Sequence, residues 1–261
     1  MSLKGIDALH CGRWDEAEAL FADALHHNPS DERAHRHYAE VMWKRGQKKA
    51  AIQHMEESVR LSGGDATLLV QLGEMYLGQG DTEAAWECAT EAIDANNHLP
   101  GAWALRGDIY RGQSNWDAAL ESYHRALTEQ PHFPHVQLAA AEVYREQNRP
   151  QRALATLDSL ASQYRPEETP PELFYQKGLS YKALGRYHEA VTVLTIASQR
   201  QETPADWLYH LAEAQHLAGN SANARLAVQA SLAKVPDHSA SLRLQDKLDR
   251  LDQSLTASLK R

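Results

Sequence analysis

Large and small side chains alternate along this chain with helical spacing. In residues 101–131, GAWALRGDIYRGQSNWDAALESYHRALTEQP, Trp103, Gly107 and Tyr110 fall four and three apart, on one face of a helix. Gly112 to Asn115 break that helix. Trp116, Ala119, Leu120, Tyr123, Ala126 and Leu127 line one face of a second, which Pro131 ends because proline cannot continue a helix. The stretch predicts a helical hairpin in which small residues permit close approach and large ones fill the grooves beside them.

The pattern recurs at a shift of 34 residues. Backwards it meets Gly73, Tyr76, Ala85 and Ala92, then Ala39, Met42 and Ala51, then Gly5, Ala8, Ala17, Phe21 and Ala24, closed by Pro29. Forwards it meets Ala141, Tyr144 and Ala153. The frame then slips by three residues and resumes at Gly178, Tyr181, Gly185, Tyr187, Ala190 and Ala197. It ends with Ala212, Gly219, Ala224 and Pro236. Repeats are predicted near 1–31, 32–65, 66–99, 100–133, 134–170, 171–204 and 205–238, within one stack over 1–236. The Pro- and Glu-rich stretch Gln163–Pro171 reads as a lengthened loop, with an interdomain hinge as the alternative.

These residues resemble the tetratricopeptide repeat (TPR) family, whose signature is W-x2-L-G-x2-Y, A-x3-F, P. The best copy is Trp103-x2-Arg106-Gly107-x2-Tyr110, Ala119-x3-Tyr123, Ala126, Pro131, with Arg106 replacing the usual Leu. The resemblance covers nearly the whole chain and implies an all-α, right-handed solenoid of about seven hairpins. Residues 239–261 form a predicted C-terminal capping helix. Leu244, Leu248, Leu251, Leu255 and Leu259 share one stripe of it, and dimerisation through them is the alternative to capping.

Composition narrows the function. The net charge of −8 argues against a broad nucleic-acid footprint. No apolar run approaches the roughly 18 residues of a membrane span. A soluble, cytoplasmic protein is the default expectation, and an exported one whose leader has been removed is the alternative. Cys11 and Cys88 are too few for a disulfide framework and are both expected to be buried. Trp14, Trp103, Trp116 and Tyr187 are assigned to the core.

Motifs of chemistry are missing: there is no phosphate-cradling loop, no GxSxG and no HExxH. His35 and His37 point in different directions on one helix, and His132 and His135 flank a turn. They are read as surface or turn histidines rather than metal ligands. No cofactor, metal or catalytic residue is assigned, and the chain is read as a non-enzyme.

In the TPR family the first helix of each hairpin lines a concave groove, where partners usually bind. The residue after each small groove-helix residue is Glu40, Glu74, Asp108, Glu142, Leu179 or Glu213, five of them acidic. Lys44, Arg111 and Arg145 are spaced to pair with Glu40, Asp108 and Glu142. Trp43, Tyr175 and Tyr209 are candidate aromatic anchors, and Arg36 completes the groove set. The resemblance implies a protein-binding scaffold that takes a basic or polar peptide or helix. Acids stand where chaperone-tail clamps carry Asn, which argues against acidic chaperone tails. The alternative is an assembly or secretion-related subunit associating through its convex face or C-terminal helix.

Overall fold

The computed structural model describes residues 2–199 and 203–259, the side chains of residue 2 and of 252–259 excepted. Leu255 and Leu259 of the leucine stripe therefore lie outside the described side chains. The described residues form fifteen helices and no strand: α1 Ser2–His10, α2 Trp14–His27, α3 Glu32–Lys44, α4 Lys48–Ser62, α5 Ala66–Gln79, α6 Thr82–Ala95, α7 Pro100–Gly112, α8 Trp116–Glu129, α9 Pro134–Glu146, α10 Pro150–Ala161, α11 Pro171–Ala183, α12 Tyr187–Ser198, α13 Ala205–Leu217, α14 Ser221–Lys234 and α15 Ser239–Leu259.

Local sequence sets the helix ends. Asp31, Asp65, Asp81 and Asn220 cap α3, α5, α6 and α14, their side chains accepting from backbone N–H groups that the first turn leaves without a partner. Proline opens α7, α9, α10 and α11, where its missing N–H costs nothing. The turns inside the hairpins follow the same clock. Gly12, Gly46, Gly80, Ser114, Asn148, Gly185 and Gly219 all have positive φ, and they recur every 34 residues with one step of 37. Each hairpin thus reverses through one left-handed residue, and the long step carries the three-residue slip. The extra residues lie between α10 and α11, in the stretch read as a lengthened loop.

The chain divides into two compact units, Met1–Val136 and Gln137–Arg261. The division falls at the start of α9, away from the Pro- and Glu-rich loop. In the first unit α1/α2, α3/α4, α5/α6 and α7/α8 are hairpins, and α2 packs on α3, α4 on α5 and α6 on α7. The first helices also touch one another, α1 with α3 and α5 with α7. In the second unit α10 packs on α11, α11/α12 and α13/α14 are hairpins, and α15 packs on α14 and α13.

The small residues act by contact. A Cβ on Gly107 would come within 2.4 Å of the Tyr123 ring, and one on Gly178 within 2.4 Å of Leu194. Both partners are fully buried. Arg106, where the signature expects Leu, lays its guanidinium 4.1 Å from the Trp103 ring centre, so a cation–π contact replaces an aliphatic one. In the second unit Leu244 and Leu248 of α15 are buried in one cluster with Leu211, Ala212, Ala224 and Val228. Two of the three described leucines of the stripe therefore face inward onto the neighbouring helices, and Leu251 is exposed.

Two expectations are corrected. Cys11 is exposed because α1 ends at His10 and leaves it in the turn, whereas Cys88 is buried. Trp14 is 37% exposed: it opens α2, and its ring lies over the turn at Gly12 instead of between helices. Trp103 is buried, while Trp116 and Tyr187 are half-buried.

Gly107→Ala is expected to lower the unfolding free energy by about 1–3 kcal/mol in urea denaturation, through overpacking against Tyr123. Gly112→Ala is the control, since a Cβ there meets nothing within 4 Å. Ser114→Gly, relieving a left-handed backbone at φ 57°, is expected to raise stability by about 0.5–1 kcal/mol in the same assay.

Candidate partner-binding surface

In the first unit, α3 and α5 flank a cleft of about 250 Å³. Glu40 and Trp43 come from α3, Gln71, Glu74 and Met75 from α5, and Met55 from α4. Three of the residues chosen from sequence, Glu40, Trp43 and Glu74, therefore meet in one place. The pairing of Glu40 with Lys44 is corrected. Glu40 lies 3.3 Å from His37 Nδ1, whose ring stacks near Phe21, while Lys44 ends α3 and is exposed. Arg36 donates to the other nitrogen of His37 at 3.3 Å, and its Nε has no partner.

Glu74 has no hydrogen-bond or ion-pair partner among the described residues. Its carboxylate is open to water but crowded by protein, and this desolvation raises its pKa, helped by nearby Asp108 and opposed by His135. Beside it, Gln71 Oε1 is buried without a donor. The cleft thus presents acceptors that lack hydrogen. Trp43 walls the cleft and also covers Gly78, where a Cβ would sit 2.8 Å from its ring. Lys48 lies 5.2 Å from the Trp43 ring centre and donates to the Gly78 carbonyl, so Trp43 is braced against α5.

Asp108 is engaged differently. It accepts from the Tyr123 hydroxyl at 2.7 Å and lies 3.5 Å from Arg111 and 3.7 Å from His135. Burial, with Asp108 close by, pushes the Tyr123 phenol well above its ordinary range. Asp108 therefore satisfies a core hydroxyl in its own hairpin.

The second unit gathers a different set. Arg145 donates to Gln176 at 2.7 Å and lies 3.9 Å from Glu146. Tyr175 stacks on Trp207 with ring centres 4.6 Å apart and planes 11° from parallel, and burial pushes its phenol up to about 12. Glu172 is raised by burial and by Glu142. Tyr209 lies against His210 and His238. Glu213 is clamped: Lys182 Nζ donates to it at 2.5 Å, and His210 Nδ1 lies 3.5 Å away. These contacts, His210 foremost and then Lys182, hold its carboxyl at about 2.

The five acids are therefore not equivalent. Asp108 and Glu213 are neutralised by local partners, and Glu40 shares His37. The sequence reading overlooked Gln71, Lys182, Trp207 and His210, and took His37, which is half-buried beside Glu40, for a surface or turn histidine. One signal for some of them was present. Arg145 to Gln176 and Lys182 to Glu213 are each 31 residues apart, one repeat less a helical turn. Among the described residues no group of three or more metal-ligating side chains converges. His35 Nδ1 meets His54 Nδ1 at 2.9 Å, and His135 turns towards Asp108. No described helix is long and apolar enough to cross a membrane.

Tetratricopeptide repeat profiles match residues 3–66, 70–132 and 175–239, and another matches 110–169. The chain belongs to the tetratricopeptide repeat family. Its TPR fold is that of solved α-solenoids at low sequence identity. The structure of the APC/C hetero-tetramer Cut9–Hcn1 matches with a TM-score of 0.81 at 13% identity, over 95% of this chain and 48% of the matched one. The TPR chain thus spans about half the length of that neighbour. A tetratricopeptide repeat protein from Parabacteroides merdae matches at 0.71 and 16% identity, over 94% and 95% of the two chains. YrrB matches at 0.57 and 17% identity, over 74% and 97%. No curated protein matches the sequence. TPR proteins are generally protein–protein interaction scaffolds.

The Glu213 clamp predicts an acid-sensitive increment of stability. A carboxylate depressed to about 2 stabilises the fold above the unfolded pKa of about 4.3, and the gain is lost as pH falls towards 2. Glu213→Gln is expected to cost roughly 1 kcal/mol at pH 7, after allowance for its partial exposure, and almost nothing at pH 2. Chemical denaturation at the two pH values measures the difference.

Proposed function

We propose that the chain is a binding scaffold that captures a basic peptide segment or helix of another protein in the cleft between α3 and α5. The observation that carries this reading is Glu74, an anion without a partner, held in a cleft beside the acceptors Glu40 and Gln71. A lysine or arginine supplies the donors these groups lack, and its aliphatic stem fits against Trp43, Met55 and Met75. The charge assists recognition chiefly by selecting against acidic competitors and speeding encounter. One structural neighbour, YrrB, is a TPR protein with an unusual peptide-binding site, which supports a peptide as the partner class. In the second unit, Tyr175, Tyr209, Glu142 and Arg145 are candidates in their own right, while Asp108 and Arg111 contribute mainly by shaping their own hairpin and Glu213 by tying α13 to α11 through Lys182.

A cation bound beside Glu74 favours its ionised form, so binding releases a proton wherever the free carboxyl is still protonated. Affinity for a labelled Lys/Arg-containing peptide, read by fluorescence anisotropy, is expected to rise with pH through the carboxylate range. Glu74→Lys is expected to weaken that peptide at least about tenfold with helicity unchanged by circular dichroism. Equal affinity in the variant removes the cleft as the site.

A further inference from the structure

One face of α15 carries three cations without the ion-pair partners that several other cations of the second unit possess, although aspartates alternate with them along the helix. Arg243, Lys247 and Arg250 fall four and three apart on α15, on one face, and all are exposed. None has an ion-pair partner among the described residues. Elsewhere in the unit Lys177 reaches Asp158, Lys182 reaches Glu213 and Arg225 reaches Asp249. Asp246 stands at helical spacing from both arginines, yet it pairs with neither.

Two adjoining hollows run along this face. One, of about 230 Å³, lies between α13 and α15, with Leu217, Leu244 and Ala240 as apolar lining and Arg243 and Lys247 on its rim. The other, of about 400 Å³, is formed by Arg243, Asp246, Lys247, Arg250 and Leu251. Leu217 is 42% exposed and Leu251 is 40% exposed, so apolar surface sits among the cations. At the first hollow, His216 Nδ1 is buried without a hydrogen-bond partner. Burial and the Lys247 charge lower the pKa of that imidazole, opposed by Glu213, the one acid lining this hollow, which is itself held by Lys182.

We infer that the α13–α15 face is a second docking surface, taking an acidic segment of a partner protein in which Asp or Glu alternates with apolar side chains. Three cations without an ion-pair partner among the described residues, set over apolar notches, complement that chemistry. A polyanion is a poorer match, because three cations on one helix neutralise few phosphates and leave the apolar notches unused. This surface is separate from the α3–α5 cleft and opposite to it in charge, so one scaffold accepts two kinds of segment.

The test uses the full chain and a labelled peptide of Glu and Leu with Ser spacers, beside a counterpart with every Glu replaced by Gln. Anisotropy is expected to show binding of the Glu peptide, at least about tenfold weaker for the Gln peptide, and weakening with added salt. Arg243→Glu/Arg250→Glu is expected to lose the Glu peptide at least tenfold while keeping its melting temperature and its affinity for the Lys/Arg peptide. Lys247→Gln, a milder change, is expected to give a several-fold loss. Equal binding of the two peptides, or undiminished binding in the reversed variant, overturns the inference. So does sedimentation showing self-association that the reversal abolishes, which makes a second copy the occupant. Preferential binding to phosphatidylserine vesicles or to RNA over the Glu peptide overturns it as well.

Discussion

The structure depends on the distance at which helices cross. At Gly107 there is no room for one more carbon beside Tyr123, and at Gly178 none beside Leu194. Close-packed interiors have no slack to absorb such a methyl group, so these contacts set how near the two helices of a hairpin lie. The spacing then decides what the next hairpin meets. A hairpin exposes an apolar stripe by itself, and stacking buries it. Recurrence of small residues in a constant frame is therefore a packing requirement applied at every repeat.

A repeated backbone does not yield repeated chemistry. Equivalent first-helix positions carry Glu40, Glu74, Asp108 and Glu213, yet each has a different environment. Asp108 satisfies the hydroxyl of a buried tyrosine, Glu213 is clamped by a lysine and a histidine, and Glu40 meets a histidine one turn away. Glu74 alone of these four lacks a partner among the described residues, and crowding makes its charge costly. A carboxylate that is partly desolvated by its surroundings and has no cation of its own gains when one arrives. Function on such a scaffold thus lies in departures from the repeat.

The same reasoning separates the two charged surfaces. Neutralised side chains contribute shape, and unneutralised ones contribute selectivity. Among the described residues, the first unit leaves an anion without a partner in a cleft walled by Trp43, and the second leaves three cations unpaired on α15. Net charge, averaged over the chain, hides this local inversion.

Periodicity alone determined the helices, the hairpins, the small-residue crossings and the position of the inserted loop. These follow from local rules: helical spacing, capping, proline at helix starts, and one left-handed residue per hairpin. Even the Ser114 and Asn148 turns keep the 34-residue step although neither is glycine. The acids around Glu74 were legible as a row, but their neutralisation was not. Partner choice for a charged side chain depends on groups about one repeat away and on burial, which spacing along one helix does not encode. Hence Lys182 claimed Glu213 and Trp207 joined Tyr175 from about a repeat away, while Glu40 took His37 over Lys44, two partners that helical spacing allows alike. Cys11 and Trp14 left the core for a related reason: a position in the repeat frame says which face a residue occupies, and only packing says whether anything covers it.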